Sequence, residues 1–351
     1  MAPKLYIGDP SGIAQEIKKL YIGDSNNIAR EIKKLYAGDS SNIVRLIFDS
    51  STSAKPMEWK QTTMPVSVSW QDVAYGNGKF VAISNHNVAS NNAAYSYDGI
   101  NWTVITLPMI YCWSVAYGNS RFVVIAGGIS SSNKAAYSYD GINWTSVTMP
   151  KSTFWQDVTY GNGMFIAVSS SGSISAYSTD GVNWVENTLP MSAHYITYGN
   201  SKFLAIGNNY ADAIYSTDGI TWSKTTIPIT YPRSSLTYGN GKFIIIFNRL
   251  GSQNRSNQGI YSEDCINWTT MTLPSVQPWN GIAYGDGIFM AVPGTTSYSS
   301  NVSTYSRDGI NWTEVILPES AQWKAIAYGN KRFVAIAGYY QKKQTAAYLL
   351  V

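Results

Sequence analysis

The chain has 351 residues, of which 13% are charged and 14% aromatic, and a formal net charge of +4. That charge is too small and too dispersed for a nucleic-acid binder, which needs clustered Lys and Arg. No run of about 18 apolar residues is present, so no membrane-inserted helix is expected, and Met1-Ala2-Pro3-Lys4 lacks the apolar stretch of a secretory signal. The two cysteines, Cys112 and Cys265, do not make a disulfide framework, and both are expected to be unpaired.

Residues 1–48 form a repetitive arm of three 15-residue units, KLYIGDPSGIAQEIK from Lys4, KLYIGDSNNIAREIK from Lys19 and KLYAGDSSNIVRLIF from Lys34. Gly-Asp followed by Ser, Asn or Pro marks a turn in each unit. Ile28, Ile32 and Leu35 fit one helix face, but the regular Tyr-Ile-Gly-Asp punctuation favours strands in a meander. Three such units bury little surface alone, so the arm is expected to need a partner: copies of itself, giving a homo-oligomer, or another protein. The arm resembles the short Lys-Tyr-Gly repeats of phage tail and tailocin proteins of Gram-positive bacteria. That resemblance implies a virion or tailocin component, made in the bacterial cytoplasm without a signal peptide and attached to tail or baseplate proteins through residues 1–48. Residues 49–56, small, polar and ending in Pro56, read as a linker.

From residue 57 to 351 a different repeat takes over. A Tyr-Gly-Asn/Asp step recurs at Tyr75, Tyr117, Tyr160, Tyr198, Tyr238, Tyr284 and Tyr328, with a period near 42 residues. A second signal, Tyr95-Ser96-Tyr97-Asp98-Gly99-Ile100-Asn101-Trp102, returns with its Trp at positions 144, 184, 222, 268 and 312. This period is one propeller blade. In the first unit the predicted strands are 71–76, 79–84, 93–97 and 102–107, and Asn77-Gly78 is a two-residue hairpin signal. The last unit stops after its third strand, and Glu58-Trp59-Lys60-Gln61-Thr62-Thr63-Met64-Pro65 matches the fourth strand of the other units. The sequence therefore predicts an all-β, seven-bladed β-propeller of four-stranded blades, closed by an N-terminal strand paired with the C-terminal blade. The Trp residues at the outer strands and those before the inner strands, Trp113 among them, are expected to be packing residues.

Ser-x-Asp-Gly-x-x-Trp resembles the Asp-box turn of sialidase-like and related bacterial propellers, shortened by one residue. The resemblance implies the propeller fold and a structural role for the turn. Sialidases also need an arginine cluster, and Arg121, Arg233, Arg249, Arg255, Arg307 and Arg332 do not recur at matching blade positions. His86 and His194 form no spaced metal pair, and no phosphate-binding Gly loop sits between a strand and a helix. No cofactor, metal or catalytic residue is expected.

The loops between second and third strands, and those between blades, share one face and are rich in Asn, Ser, Gln and Tyr. Polar amides beside aromatics suit a hydroxyl-rich ligand such as a glycan. Blades 4 and 5 depart most from the repeat, which points to His194, Tyr195, Tyr231, Arg233, Asn248, Arg249, Gln253 and Asn254 as ligand-binding residues. Three readings follow. The first is a non-enzymatic particle protein whose propeller binds a host cell-surface glycan. The second is a baseplate or tail decoration protein that contacts only other particle proteins, and the third a glycan-processing enzyme.

Overall fold

A computed structural model describes residues 57–85, 91–207, 212–228, 234–248, 255–295, 298–338 and 344–351, together with six short strands before residue 50. The chain divides into two compact units, Met1–Met57 and Glu58–Val351. In the first unit each repeat forms its own antiparallel pair: Leu5–Gly8 with Ala14–Ile17, Tyr21–Gly23 with Ala29–Glu31, and Lys34–Gly38 with Val44–Asp49. The arm is thus built of strands, as separate two-stranded hairpins rather than the continuous meander the turn spacing predicted. Each predicted Gly-Asp turn falls between the two strands of one repeat.

The second unit is a seven-bladed propeller of four-stranded antiparallel sheets. Blade 1 comprises Trp70–Gly76, Lys79–Ser84, Asn92–Ser96 and Thr103–Thr106, within one residue of the predicted bounds. Inner strands of the remaining blades are Cys112–Gly118, Trp155–Gly161, Tyr195–Gly199, Ser234–Gly239, Trp279–Gly285 and Trp323–Gly329. Asn77 (φ 47°) and Gly78 (φ 74°) are both left-handed, as the tight hairpin between inner and second strands demands.

Blade 7 is completed by Trp59–Thr63, which pairs with Thr345–Leu350 from Trp59↔Leu349 to Thr63↔Thr345. The Trp59 indole donates to Ser303 Oγ of blade 6 at 2.9 Å, and Thr62 Oγ1 donates to the Ile100 carbonyl of blade 1 at 2.6 Å. The closing strand is therefore fastened to both neighbouring blades as well as to its own.

The core lies between blades, not within them. Val81, Ile83 and Leu107 of blade 1 pack on Phe122 and Val124 of blade 2, and equivalent layers recur around the ring. The Tyr-Gly step explains itself in this geometry. Each Tyr ring lies flat on the glycine of the preceding blade, from Tyr117 on Gly76 round to Tyr75 on Gly329. A Cβ at any of these seven glycines would fall inside the neighbouring ring.

One end of the ring carries the Asp-Gly turns. In blade 1, Asp98 Oδ1 accepts the amides of Ile100 and Asn101, Oδ2 accepts Asn101 Nδ2, and Ser96 Oγ accepts the Gly99 amide. Burial opposes ionisation of Asp98, but the hydrogen bonds from Asn101 and Ile100 outweigh it and hold the carboxyl down at about 2. Cys265 stands where the other turns have Gly and adopts the same left-handed backbone, φ 68°. Both Cys112 and Cys265 are buried and free.

These turns also tie blade to blade. Asn77 Nδ2 donates to Tyr139 O, Asn119 to Thr179 O, Asn162 to Thr217 O, Asn200 to Glu263 O, Asn240 to Arg307 O and Asn330 to Tyr97 O. Lys79, Arg121, Lys202 and Arg332 add bonds to the Asp140, Asp180, Asp264 and Asp98 carbonyls. Two blades depart in residue type. Blade 3 has Met164 for the cation, and blade 6 has buried Ile288 for the cation and Asp286 for Asn. Across that seam lies blade 7, whose third and outer strands come from opposite ends of the propeller sequence, so no Asp-Gly turn joins them.

Candidate functional site

At the opposite end of the ring the inner strands begin, and their first residues line a central cavity of about 170 Å³. That is room for about six waters, or one ring-sized group. Counting back from each Tyr-Gly step defines the lining. Two residues before the Tyr the side chain is always apolar and packs between blades: Val73, Val115, Val158, Ile196, Leu236, Ile282 and Ile326. Three before it stand Asp72, Ser114, Asp157, Tyr195, Ser235, Gly281 and Ala325, and all seven border the cavity. Four before it stand Gln71, Trp113, Gln156, His194, Ser234, Asn280 and Lys324, of which five line the mouth.

The cavity is chemically lopsided. Blades 1 to 3 supply carboxylates, a hydroxyl and an indole; blades 5 to 7 supply small groups and one cation. Small side chains on one side leave the space, and polar ones on the other fill its wall.

Asp72 and Asp157 each staple their blade to a neighbour. Asp72 Oδ1 accepts the Val73 amide at 2.8 Å, and Oδ2 accepts Val115 N of blade 2 at 2.9 Å. Asp157 Oδ1 accepts Val158 N at 2.9 Å and Ser114 Oγ at 2.8 Å, and Oδ2 accepts Ile196 N of blade 4 at 2.9 Å. A β-bulge beside each aspartate, at Trp70/Asp72 and Trp155/Asp157, turns the side chain toward the adjacent strand.

Desolvation dominates their titration. It pushes Asp72 up to about 6, against the amides of Val115 and Val73, the Ser114 hydroxyl and the Lys324 charge. It pushes Asp157 up to about 7; the Ile196 amide opposes this, and the Asp72 charge adds to it. Both carboxyls thus change charge near neutrality while still facing the cavity.

Trp113 is the aromatic wall, and here the structure departs from expectation. Four inner strands place a fully buried Trp at their start: Trp70, Trp155, Trp279 and Trp323. In blade 2 that slot belongs to Cys112, paired with Ala126 as Trp70 is with Ser84. Trp113 is one residue further on, half-buried, and turned into the mouth instead of the core. Its ring lies against the backbone of Gly128, where a Cβ would overlap the indole. The Lys324 ammonium sits 5.9 Å from the ring centroid. Ile129 and Phe154, 56% and 37% exposed, extend an apolar rim over blades 2 and 3. Gln156 Nε2 donates to Gly128 O at 3.0 Å and to Ser170 Oγ at 3.1 Å, which fixes the loop under this rim.

Of the residues expected to bind ligand, Tyr195 lines the cavity. His194 precedes it and donates its backbone amide to Ile206 O, while Ala193, fully buried, takes the Trp slot of blade 4. Asn248 is buried at the end of the blade 5 second strand. Tyr231, Arg233, Arg249, Gln253 and Asn254 lie outside the described residues. Asp72, Trp113, Ser114, Gln156, Asp157, Asn280 and Lys324 had not been singled out as site residues. Their signal was variability at strand positions three and four before the Tyr, beside a position that never varies in character. Among the described residues no group of three or more His, Cys, Asp or Glu is arranged to hold a metal ion.

No protein-family model matches the sequence, and no curated protein matches it. Solved structures do match the fold. A virginiamycin B lyase from Staphylococcus aureus superimposes with a TM-score of 0.70 at 14% identity, over 84% of this chain and 99% of that one. A streptogramin B lyase gives 0.69 at 12% identity, over 84% and 98%. YCF48 bound to D1 peptide gives 0.62 at 13% identity, over 84% and 96%. The chain shares with these proteins the propeller fold, here all-β, seven-bladed and built of four-stranded antiparallel sheets.

Proposed function

We propose that this chain is a non-enzymatic binding protein of a phage or tailocin particle. Its arm fastens it to tail or baseplate proteins, and the cavity end of the propeller captures a host cell-surface glycan. The observation that carries the reading is the contrast between the ends of the ring. The Asp-Gly end commits its polar side chains to turns and inter-blade bonds. The cavity end also spends the amide nitrogens of Gln156 and Asn280 on protein acceptors, but it sets these residues with Gln71, Trp113 and Tyr195 around an open space. Planar amides and aromatic faces are what a hydroxylated ring needs: hydrogen bonds at its edge and an apolar surface for its face. The carboxylates support binding rather than turnover, because each is tied to two backbone amides.

The test is retention of the full chain on purified Gram-positive cell-wall polymers, compared with the Trp113→Ala variant. Trp113 is half-buried on a rim, so its loss should leave thermal unfolding close to wild type while weakening retention about tenfold or more. Failure to bind any polymer, or binding indifferent to Trp113, overturns the reading. One feature favours a second reading, glycan processing: two cavity carboxyls that titrate near neutrality can serve as acid and base. Release of reducing sugar from a bound polymer would establish it.

A further inference from the structure

The cavity's charge distribution says more about its ligand than its hydrogen bonding does. Asp72 and Asp157 come from blades 1 and 3, and Ser114 of blade 2 lies between them, donating to Asp157. They are close enough for each charge to be felt by the other. The titratable groups around the cavity, among the described residues, are Asp72, Asp157, Tyr195 and Lys324, with His194 just before the strand that Tyr195 opens. Lys324 stands by the Trp113 ring and is the one cation among the described residues of the lining. With both carboxylates ionised these described residues carry one negative charge more than positive. Independently of the acids, the one-residue slip at Cys112 puts an indole face into this mouth, beside exposed Ile129 and Phe154. A cavity with a surplus carboxylate on its wall and an indole at its rim fits a cation carried on an apolar or ring-shaped body.

We propose that the cavity selects ligands bearing a protonated primary amine, with the ammonium seated between Asp72 and Asp157 and the body of the ligand against Trp113. This rests on the cavity being the binding site and names its ligand class, an amino-bearing glycan or side chain in place of a neutral one. The ammonium supplies three donors; Asp72 Oδ1, Asp72 Oδ2 and Asp157 Oδ2 each accept one amide and keep a second lone pair, while Asp157 Oδ1 is filled by Val158 N and Ser114 Oγ. The cation also removes the cost of two like charges in one enclosure. Binding is therefore linked to protons. Below neutrality the carboxyls are protonated and must ionise before the ammonium is held; above it they are already charged. Affinity for an ammonium should rise with pH, and affinity for a neutral analogue should not.

The experiment uses the full chain with benzylammonium and benzyl alcohol, two probes of one shape that differ in charge; the amine stays protonated from pH 5 to 8. Binding is read from Trp fluorescence and from ligand-observed NMR. Benzylammonium should bind about tenfold more tightly at pH 8 than at pH 5, as displacement of one proton from a group near 6 requires, and more tightly than the alcohol at pH 8. Replacing both acids, Asp72→Asn with Asp157→Asn, should erase the pH dependence, with the thermal unfolding of the double variant checked at both pH values. Lys324→Met, which removes the resident cation without touching the carboxylates, should raise the preference for the ammonium. Equal affinity of wild type for the two probes at pH 8, or a flat pH profile, overturns the proposal. A cell-wall polymer that binds through Trp113 while both probes bind alike would keep the glycan reading and sink this one. Selective ammonium binding without polymer binding would do the reverse.

Discussion

The two ends of the ring join the same seven blades by different chemistry. At the Asp-Gly end one scheme is repeated: Tyr ring on Gly in all seven blades, Asn to carbonyl in six and cation to carbonyl in four. At the cavity end only blades 1 and 3 present the same pair of residues to the centre, Gln-Asp, and the links between blades, among them Asp72 to Val115, Asp157 to Ile196 and Asn280 to Trp323, follow no common scheme. The lesson is that repetition marks constraint. Where a side chain is fully used by its neighbours it recurs in every blade; where it faces open space it is free to differ.

Substitutions in the repeated end should therefore be the most damaging. Gly161→Ala would put a Cβ inside the Tyr198 ring, between two blades with no room to part. The expected loss is about 3 kcal/mol or more. Gly163→Ala, two residues away at the hairpin tip, meets nothing within 4 Å and carries only its left-handed backbone, φ 78°. Its cost should be about 1 kcal/mol. Chemical denaturation of the two variants measures the difference, and equal losses would remove the Tyr-on-Gly contact as the reason for the repeat.

The individual end should reveal itself through pH. Asp72 and Asp157 are harder to ionise in the fold than the ordinary carboxyl near 3.8. Their contribution to stability is thus fully present below that value, and it is lost as pH rises through about 6 and 7. The Asp-Gly carboxyls shift the other way, and Asp98, held at about 2, is ionised in either state above pH 5. Between pH 5 and 8 the cavity pair should dominate, lowering stability by on the order of 4 kcal/mol. Thermal unfolding across this range should show that fall in wild type and a shallower one in Asp157→Asn. Parallel profiles would mean that Asp157 does not carry it.

The fold was legible in the sequence because the same packing demand is written seven times. Tyr-Gly, Asn-Gly and Ser-x-Asp-Gly recur at fixed spacing, and a missing outer strand at one end matched a spare strand at the other. The site was legible only in part. Tyr195 was reached by asking where the repeat breaks. By residue type Trp113 matches the other inner-strand tryptophans, but by register the matching slot belongs to Cys112, one residue earlier. Asp72 and Asp157 sit in near-identical stretches, Trp70-Gln71-Asp72-Val73 and Trp155-Gln156-Asp157-Val158, and so looked like repeat filler. Their raised titration depends on enclosure by other blades, which no local pattern encodes.

The smallest effect expected lies at the seam between blades 6 and 7. Asn119→Asp removes a 3.0 Å donor to Thr179 O and should cost about 0.5–1 kcal/mol. Asp286→Asn should change stability by less than about 0.5 kcal/mol, because no turn carbonyl awaits it in blade 7. Matched melting curves of the two variants decide this; a clear gain from Asp286→Asn would show a partner for it across the seam.

The closing strand also has a mechanical meaning. Trp59–Thr63 follows directly on the first unit and runs antiparallel to Thr345–Leu350 through five residue pairs. Tension arriving from the N-terminal side along this strand loads those pairs in shear, all at once, whereas a pull across the strand would peel them one by one. The Trp59 bond to Ser303 and the Thr62 bond to Ile100 spread the same load into blades 6 and 1. A load reaching the propeller from its N-terminal side would pass through the strand that closes its ring.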